Sequence, residues 1–488
     1  MSSYFLIIPI LIPIITGAIL RLTRVKNEVV YKSISLTSVI LTSLITFAFL
    51  FVIDSSPSVI LVFSDKINVA LKLDGLGKIF AGMVSLLWPF SLLYSYAYMQ
   101  DEERKEKYNS FYVMTFGVVL AIAFSSNLFT LFIFYEVLTI VTLPLIIHTY
   151  SQEARKAGRY YLYFSLTGSS MALVGLIILL ESCGSCEFIY GGLNSTCSPL
   201  VSIAYLLTFL GFGVKAAIFP LCYWLPMAGA APTPTTALLH AVAVVKAGVF
   251  AIMRTTYFNF NYALLASSWV QIVCIILASI TILYGSMMAL KEQHFKRRLA
   301  YSTISNLSYI LLAVTFMNET GYLASVLHLL FHSFAKISLF FACGAIIKNS
   351  KAHYVYELNG LGHKMPITFI AFTLASLSLT GVPLFAGFIS KWYIGLAGLE
   401  VGNIFAYVGI ACLLISALLT AVYTLNIPFR GFMYQPTNIN KDIFDRAKEP
   451  NKLYLTTILV FAVLSVVLGV ISAPFIDWIT QIILGGVL

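Results

Sequence analysis

The chain reads as long apolar runs separated by short polar connections, and within the runs the apolar residues are continuous rather than alternating every second position. A membrane helix needs roughly 20 predominantly apolar residues, and about fourteen such stretches follow one another along the chain. They lie near residues 4–22, 29–53, 74–99, 110–124, 127–149, 157–181, 200–226, 234–256, 266–289, 299–316, 319–347, 366–398, 404–427 and 453–484. The pattern predicts an all-α polytopic membrane protein with about 14 transmembrane helices. A membrane β-barrel would show a two-residue alternation, and it is excluded. The run 4–20 lacks a basic leader and a small-residue cleavage site, so it reads as the first span rather than a signal peptide.

Composition supports this. Of 488 residues 59% are hydrophobic and only 10% charged, against about a quarter charged in average soluble domains. The 14% of aromatic residues excludes disorder. Seven cysteines are too few for a secreted disulfide scaffold. The net charge of +10 raises nucleic acid as a partner, but the positions of the basic residues give it another meaning. Arg21, Arg24, Lys26 and Lys32 share one connection, and Arg104, Lys105 and Lys107 the next but one. Arg155, Lys156, Arg159, Lys291, Lys296, Arg297, Arg298, Lys348, Lys351, Lys364, Arg430, Lys441, Arg446, Lys448 and Lys452 continue on the same side. The opposite side holds Lys66, Lys72, Lys78 and Arg254. Cytoplasmic connections carry the excess of Lys and Arg. The expected arrangement is therefore a multi-pass cell-membrane protein with both termini on the outer face, with the lipid bilayer and not nucleic acid as its surroundings. Cys183, Cys186 and Cys197 fall in one outer connection, where an oxidising face permits a disulfide among them. A metal site there lacks a nearby fourth ligand.

Four lysines lie inside apolar runs: Lys215, Lys246, Lys336 and Lys391; Glu136 is the acidic residue clearly within one. Each charge at the bilayer centre costs about 2.5–3.5 kcal/mol on insertion scales, so such residues are expected to pair, hydrate or act. His240 shares a span with Lys246, and His328, His332 and Lys336 follow at steps of four. Residues so spaced line one helical face and form a proton-active stripe about 12 Å long. Lys215 follows Gly211 and Gly213 and precedes Pro220, Pro226, Pro232 and Pro234; Lys391 follows Gly381, Pro383 and Gly387. Proline removes a backbone donor, so both spans are predicted to be discontinuous. Irregular backbone at membrane depth survives only where protein or water satisfies it. Two breaks five spans apart, each with a lysine, suggest two inverted five-helix repeats. The implied division is 1–109 for three N-terminal helices, 110–257 and 258–428 for the repeats, and 429–488 for a cytoplasmic connection and final helix.

At these residues the chain resembles a known family. Lys215-Ala216-Ala217-Ile218-Phe219-Pro220-Leu221 with Trp224-Leu225-Pro226, and Ala231-Pro232-Thr233-Pro234 leading to His240 and Val245-Lys246-Ala247-Gly248-Val249, resemble the proton-translocating antiporter-like family. So do Lys296-Arg297-Arg298-Leu299-Ala300-Tyr301-Ser302-Thr303-Ile304-Ser305-Asn306, His332-Ser333-Phe334-Ala335-Lys336, and Gly381-Val382-Pro383 through Ser390-Lys391. That family includes the antiporter-like components of respiratory complex I, the A-type and D-type components of Mrp sodium/proton antiporters, and relatives in membrane-bound hydrogenases and sulfane reductases. The resemblance implies fourteen core helices, two inverted repeats, and a coupling pair of Glu136 and Lys215. It further implies Lys246 with His240, Lys336 at mid-axis, and Lys391 as the outlet lysine. Cys222, Asn306 and Ser308 depart from the residues common there. The segment from Ala231 to His240 is more similar to the Mrp, hydrogenase and sulfane reductase members.

The implied function is proton translocation along Glu136, Lys215, Lys246, Lys336 and Lys391, with His240, His328 and His332 as relays and sodium as an alternative cargo. No phosphate-binding loop, haem or iron–sulfur cysteine set or dinucleotide fingerprint is visible, so no cofactor is expected. Driving energy must then come from an ion gradient or from partners, namely other membrane subunits and peripheral iron–sulfur redox subunits. The competing readings are a standalone solute transporter and a structural subunit with inert buried charges.

Overall fold

Polar caps decide where the apolar runs become helices. Asn127, Ser151, Asn318, Asn403 and Asn451 each accept a backbone N–H from the first turn of the helix they open, satisfying donors that lipid could not. The structure is a computed structural model describing all residues except 1, 24, 26, 54, 55, 194–198, 267, 439 and 485–488. It opens with α1 (Ile7–Thr23) and α2 (Glu28–Val52). An antiparallel hairpin follows, β1 (Ser58–Ser64) on β2 (Ile67–Leu71), with Ser58 opposite Leu71 and Ser64 opposite Ile67. Hydropathy alone does not reveal it, although both segments are rich in β-branched residues and meet at a tight turn. Next come α3 (Gly75–Tyr98), α4 (Lys105–Ala123), α5 (Leu128–Ile146) and α6 (Gln152–Cys183).

The seventh span is broken, as expected. Helix α7 (Pro199–Gly213) stops, and the chain turns through Ala217 at φ 62° before the short α8 (Trp224–Met227). The Val214 carbonyl freed by the break accepts from Trp224 Nε1 at 2.7 Å, and Phe219 N donates to Thr281 Oγ1 at 3.0 Å. Short α9 (Thr233–Ala237) passes through a π-helical turn, Leu238–Val242, into α10 (Val244–Arg254); a second π-helical turn follows at Thr255–Asn259. Short α11 (Tyr262–Leu265) leads to α12 (Trp269–Lys291), α13 (Phe295–Thr315) and α14 (Glu319–Ser350).

After short α15 (Leu361–Lys364), α16 (Pro366–Thr380) stops at Gly381 and the span resumes as α17 (Ala386–Val401). Gly381 has φ +87°, which only glycine adopts cheaply. The chain continues through α18 (Ile404–Met433), short α19 (Lys441–Arg446), α20 (Lys452–Val470) and α21 (Ser472–Leu484). The run 453–484, read as one span, is thus two helices. Pro474 explains the break, because its ring clashes with the carbonyl four residues back, which belongs to Val470, the last residue of α20.

Ten helices among the described residues are long and apolar enough to cross a membrane, and Pro199–Gly213 and Pro366–Thr380 are shorter apolar ones. In the stretches Thr233–Asn259 and Glu319–Ser350 the whole apolar window is buried within the protein. These two lie at the centre, ringed by helices such as α2 and α18 that expose Phe51, Leu414 and Leu418. Apolar side chains facing outward are what lipid requires. Cys183 and Cys186 are free thiols; Cys197 lies outside the described residues.

Candidate functional site: a buried lysine and histidine line

The two central helices carry most of the buried charge. Lys246 of α10 meets His332 of α14, with Nζ 2.7 Å from Nδ1, and also donates to the Leu329 carbonyl at 3.3 Å. One turn along α14, the His328 ring stacks on His332 with centroids 5.9 Å apart. His328 Nδ1 is 2.8 Å from Ser390 Oγ, the neighbour of Lys391 on α17. In the other direction Lys336 donates to the Leu299 carbonyl at 2.9 Å and to Ser302 Oγ. The spacing of four along α14 therefore does what the sequence predicts: three groups share one face, and that face looks at α10, α13 and α17.

Lys391 sits across the second break. Its Nζ donates to the carbonyls of Leu379 at 2.8 Å and Thr380 at 2.7 Å, the last residues of α16. Those carbonyls are the unpaired negative end of a helix, where a cation is stabilised. Glycine at 381 makes room, since an added Cβ would lie 2.9 Å from Lys391 Cδ.

At the first break, Lys215 is buried against α5. Its Nζ donates to the Tyr135 carbonyl, lies 3.4 Å from the Tyr135 ring centroid and 4.0 Å from Glu136 Oε1. Glu136 accepts from Ser169 of α6 and keeps 26% of its side chain exposed. The coupling pair inferred from resemblance thus meets at ion-pair distance, with the carboxylate at the edge and the ammonium inside. Lys215 and Lys246 are linked through backbone. Gly248, two residues beyond Lys246, packs so closely that a Cβ there would lie 2.5 Å from Ala216 N.

His240 is buried against Phe340, with centroids 4.8 Å apart, and neither of its ring nitrogens has a hydrogen-bond partner among the described residues. A buried imidazole in that state is a place for water. The π-helical turn that holds it was not foreseen; such turns recur at functional positions. Among the described residues no cluster of His, Cys, Asp and Glu fits a metal ion.

The structure adds a pairing that the sequence did not reveal. Arg254, counted among the outer-side residues, is completely buried and forms a bidentate ion pair with Asp74, with Nη2 2.6 Å from Oδ1. Asp74 also caps α3 by accepting Gly77 N at 3.0 Å. Three phenylalanine rings, of Phe188, Phe250 and Phe258, surround the guanidinium at 4.9–5.1 Å. Planarity and a bidentate fork suit arginine to such burial. No local pattern signals this pairing, because the partners are 180 residues apart. The supporting groups Tyr135, Ser169, Ser302 and Ser390 were also missed; Ser302 and Ser390 stand inside family-like motifs, and Ser390 adjoins Lys391.

Fold and site together define a polytopic membrane protein with a protein-shielded line of ionisable side chains at its core. The family described as NADH:quinone oxidoreductase/Mrp antiporter, TM, matches residues 125–420, and the chain belongs to that family. It is 34% identical over 330 residues to the A/B component of a probable K(+)/H(+) antiporter of Rhizobium meliloti (strain 1021), covering 67% of this chain and 32% of that protein. It is 29% identical over 419 residues to the L component of the NADH-quinone oxidoreductase of Rickettsia felis (strain ATCC VR-1525 / URRWXCal2), covering 83% and 63%. The chain therefore spans between about a third and two thirds of the length of these relatives. A chain in the structure of the membrane-bound sulfane sulfur reductase (MBS), an archaeal respiratory membrane complex, superposes with a TM-score of 0.86 at 25% identity, over 98% of this chain and 97% of that one.

Proposed function

We propose that the chain is the proton-translocating membrane component of a multisubunit complex, moving protons along Glu136, Lys215, Lys246, Lys336 and Lys391 with His240, His328 and His332 as relays. One observation carries this reading: Lys246 Nζ and His332 Nδ1, on different helices and both buried, lie 2.7 Å apart. A proton handed from the ammonium to the imidazole leaves a neutral amine and an imidazolium, and water beside His328 and His240 carries it onward. Lysines suit this because their affinity for a proton follows their surroundings, and imidazole both accepts and donates. Glu136 acts on Lys215 across 4.0 Å: its charge favours the ammonium, and losing that influence releases the proton toward Lys246.

The partners in this reading are other membrane subunits, with peripheral iron–sulfur subunits or an ion gradient as the energy source. The orientation follows the basic connections, with both termini outside the cell membrane. The two inverted repeats are residues 110–257 and 258–428; the matched lengths of α6 and α14, 32 residues each, and of α7 and α16, 15 residues each before their breaks, support that division. Protons rather than sodium are the cargo, since sodium as a hard cation prefers several oxygen ligands and Glu136 is the one carboxylate among the side chains of this line.

The test is proton uptake by proteoliposomes holding the native complex. Lys246→Met and Lys391→Ala are each expected to abolish uptake while the complex still assembles. Uptake at the unsubstituted rate in both variants would make the charges structural; uptake of an organic solute by the isolated chain would make the protein a solute carrier.

A further inference from the structure

A groove of about 660 Å³ opens between α2, α3, α14, α20 and α21. Its floor is Leu330 and Phe334 of α14, on the face turned away from His328 and His332. The walls are apolar, from Leu50 of α2 to Leu468 of α20. Gly82 of α3 widens the groove: a Cβ added there would have only Leu50 Cδ1 as a neighbour, at 3.2 Å. Helix α21 crosses one end. It begins just beyond Val470, the last residue of α20, and reaches the start of α3, where Gly75 packs directly on the Ile482 carbonyl.

That end differs in chemistry from the walls. Lys78 is the one charged side chain lining the groove, and it lies one turn from Gly75, so it stands where α21 crosses. Gln481 and Trp478 of α21 line the groove with it. Lys78 is half-buried and has no carboxylate within ion-pair distance among the described residues. Asp74, one turn earlier on α3, is held bidentately by Arg254. Asp477 of α21 lines a different groove, against Phe388 and Trp392 of α17. The cation therefore borders an apolar crevice that offers it no counter-charge. From Lys78 to Leu86 the α3 wall runs about 12 Å by helical rise, close to half of a hydrocarbon core about 30 Å thick. Tryptophan and lysine at one end of an apolar wall mark the level of lipid headgroups.

We propose that this groove binds one anionic phospholipid, with an acyl chain along Leu86 and Phe334 and the phosphate at Lys78. An ammonium without a carboxylate takes a phosphate through charge-assisted hydrogen bonds. The depth suits a single leaflet: a lipid whose chain reaches Leu86 has its headgroup at the level of Lys78. A zwitterionic lipid carries its own cation and gains less from the lysine. The competing occupant is a transmembrane helix of another subunit. Such a helix would continue past Lys78 into the space that α21 crosses, whereas a lipid ends there. The acyl chain covers Leu330 and Phe334, completing the casing of the helix that carries His328, His332 and Lys336 on its opposite face. It touches none of those three, so the site stands whatever the buried line carries.

The experiment reads the fluorescence of Trp478, whose side chain lines the groove. The native complex is placed in phosphatidylcholine nanodiscs, and phosphatidylglycerol or phosphatidylcholine brominated on its acyl chains is added in steps. The Trp478 signal is the difference between the complex and its Trp478→Phe variant. Bromine quenches an indole that it touches, so this difference reports lipid in the groove. Brominated phosphatidylglycerol is expected to quench it at about one-fifth of the mole fraction that brominated phosphatidylcholine needs, the preference one lysine gives an anionic lipid. Lys78→Gln should bring the two lipids together, and Lys78→Arg should keep them apart. Gly82→Leu, which fills the groove, should protect Trp478 from both. Equal quenching by the two lipids in the unsubstituted complex overturns the proposal, since the occupant is then ordinary boundary lipid. Quenching by neither overturns it too, because a neighbouring subunit then fills the groove. A preference that survives Lys78→Gln removes the lysine from the site and sinks the proposal as stated.

Discussion

Replacing Glu136 by Gln tests the coupling pair directly. The carboxylate lies 4.0 Å from the Lys215 ammonium, and unit charges at that distance attract by about 4 kcal/mol at an effective dielectric of 20. Partial exposure of the carboxylate, 26% of its side chain, lets solvent screen the interaction, so about half, or ~2 kcal/mol, is a fair working value. Glutamine keeps the shape and the hydrogen bond with Ser169 and removes only the charge. Loss of ~2 kcal/mol from the protonated state of Lys215 lowers its population about 30-fold, and proton uptake in reconstituted vesicles should fall by a similar factor. Glu136→Asp moves the charge back by about one bond and weakens the attraction by roughly a quarter, so its uptake should fall only about twofold. The order Glu, Asp, Gln in rate is the signature. Equal rates for Glu136 and Glu136→Gln, in a complex that Lys215→Ala inactivates, would refute the claim that this carboxylate governs the lysine.

Breaking the Asp74–Arg254 pair should be costly, since removing one partner of a buried pair typically loses about 3–5 kcal/mol. Arg254→Leu should therefore lower the thermal unfolding midpoint in detergent more than Arg254→Leu with Asp74→Asn, and the reverse order would show that the guanidinium packs rather than pairs. Gly248→Ala places a methyl 2.5 Å from Ala216 N; overpacking of this kind costs about 1–3 kcal/mol, so both stability and uptake should drop, and a variant as stable and as active would deny the close approach of α10 to the break. His294, in the connection before α13, is pushed down to about 4 by burial and by neighbouring Lys296 and Arg297. An unfolded histidine titrates near 6.5, so between about pH 6.5 and 4 the unfolded chain binds the extra proton. Stability should then fall as pH falls through that window. His294→Gln should flatten this part of the unfolding-midpoint curve, and an unchanged slope would place the dependence elsewhere.

The broken helices and the α14 stripe were legible because they rest on local rules. Pro220 and Gly381 stand in stretches where prolines and glycines cluster, which disfavours a continuous helix, and a spacing of four fixes a face. Glu136 and Lys215 were legible only as outliers in apolar surroundings; nothing in their distance along the chain told which lysine the glutamate would meet. The pairing of Arg254 was illegible for a physical reason: it stands near the end of an apolar run, where a snorkelling arginine is common, and its partner Asp74 belongs to a helix start far away in sequence. The hairpin at 58–71 was overlooked because it lies in the connection between two membrane runs, where a search for long apolar spans does not look for short strands. The π-helical turn at His240 left no pattern at all, since its residues are ordinary membrane-helix residues.

What holds the lysines in place could not have been read from side chains. Each of the four donates to a main-chain carbonyl: Lys215 to Tyr135, Lys246 to Leu329, Lys336 to Leu299, and Lys391 to Leu379 and Thr380. Among the described residues, Lys215 alone of these four has a carboxylate within ion-pair distance. A carbonyl inside a helix keeps a second lone pair, so it can solvate an ammonium without giving up its helical bond. Dipoles of this kind stabilise the charge where it arrives but, unlike a paired carboxylate, do not fix it there. A buried lysine held by Asp or Glu would be a salt bridge and would keep its proton. One held by backbone dipoles can lose it when a neighbouring charge changes, which is what stepwise transfer along the line requires. Every residue has a carbonyl, so composition and spacing do not single out those turned toward the line; the helix breaks and the packing of α13 and α14 decide that.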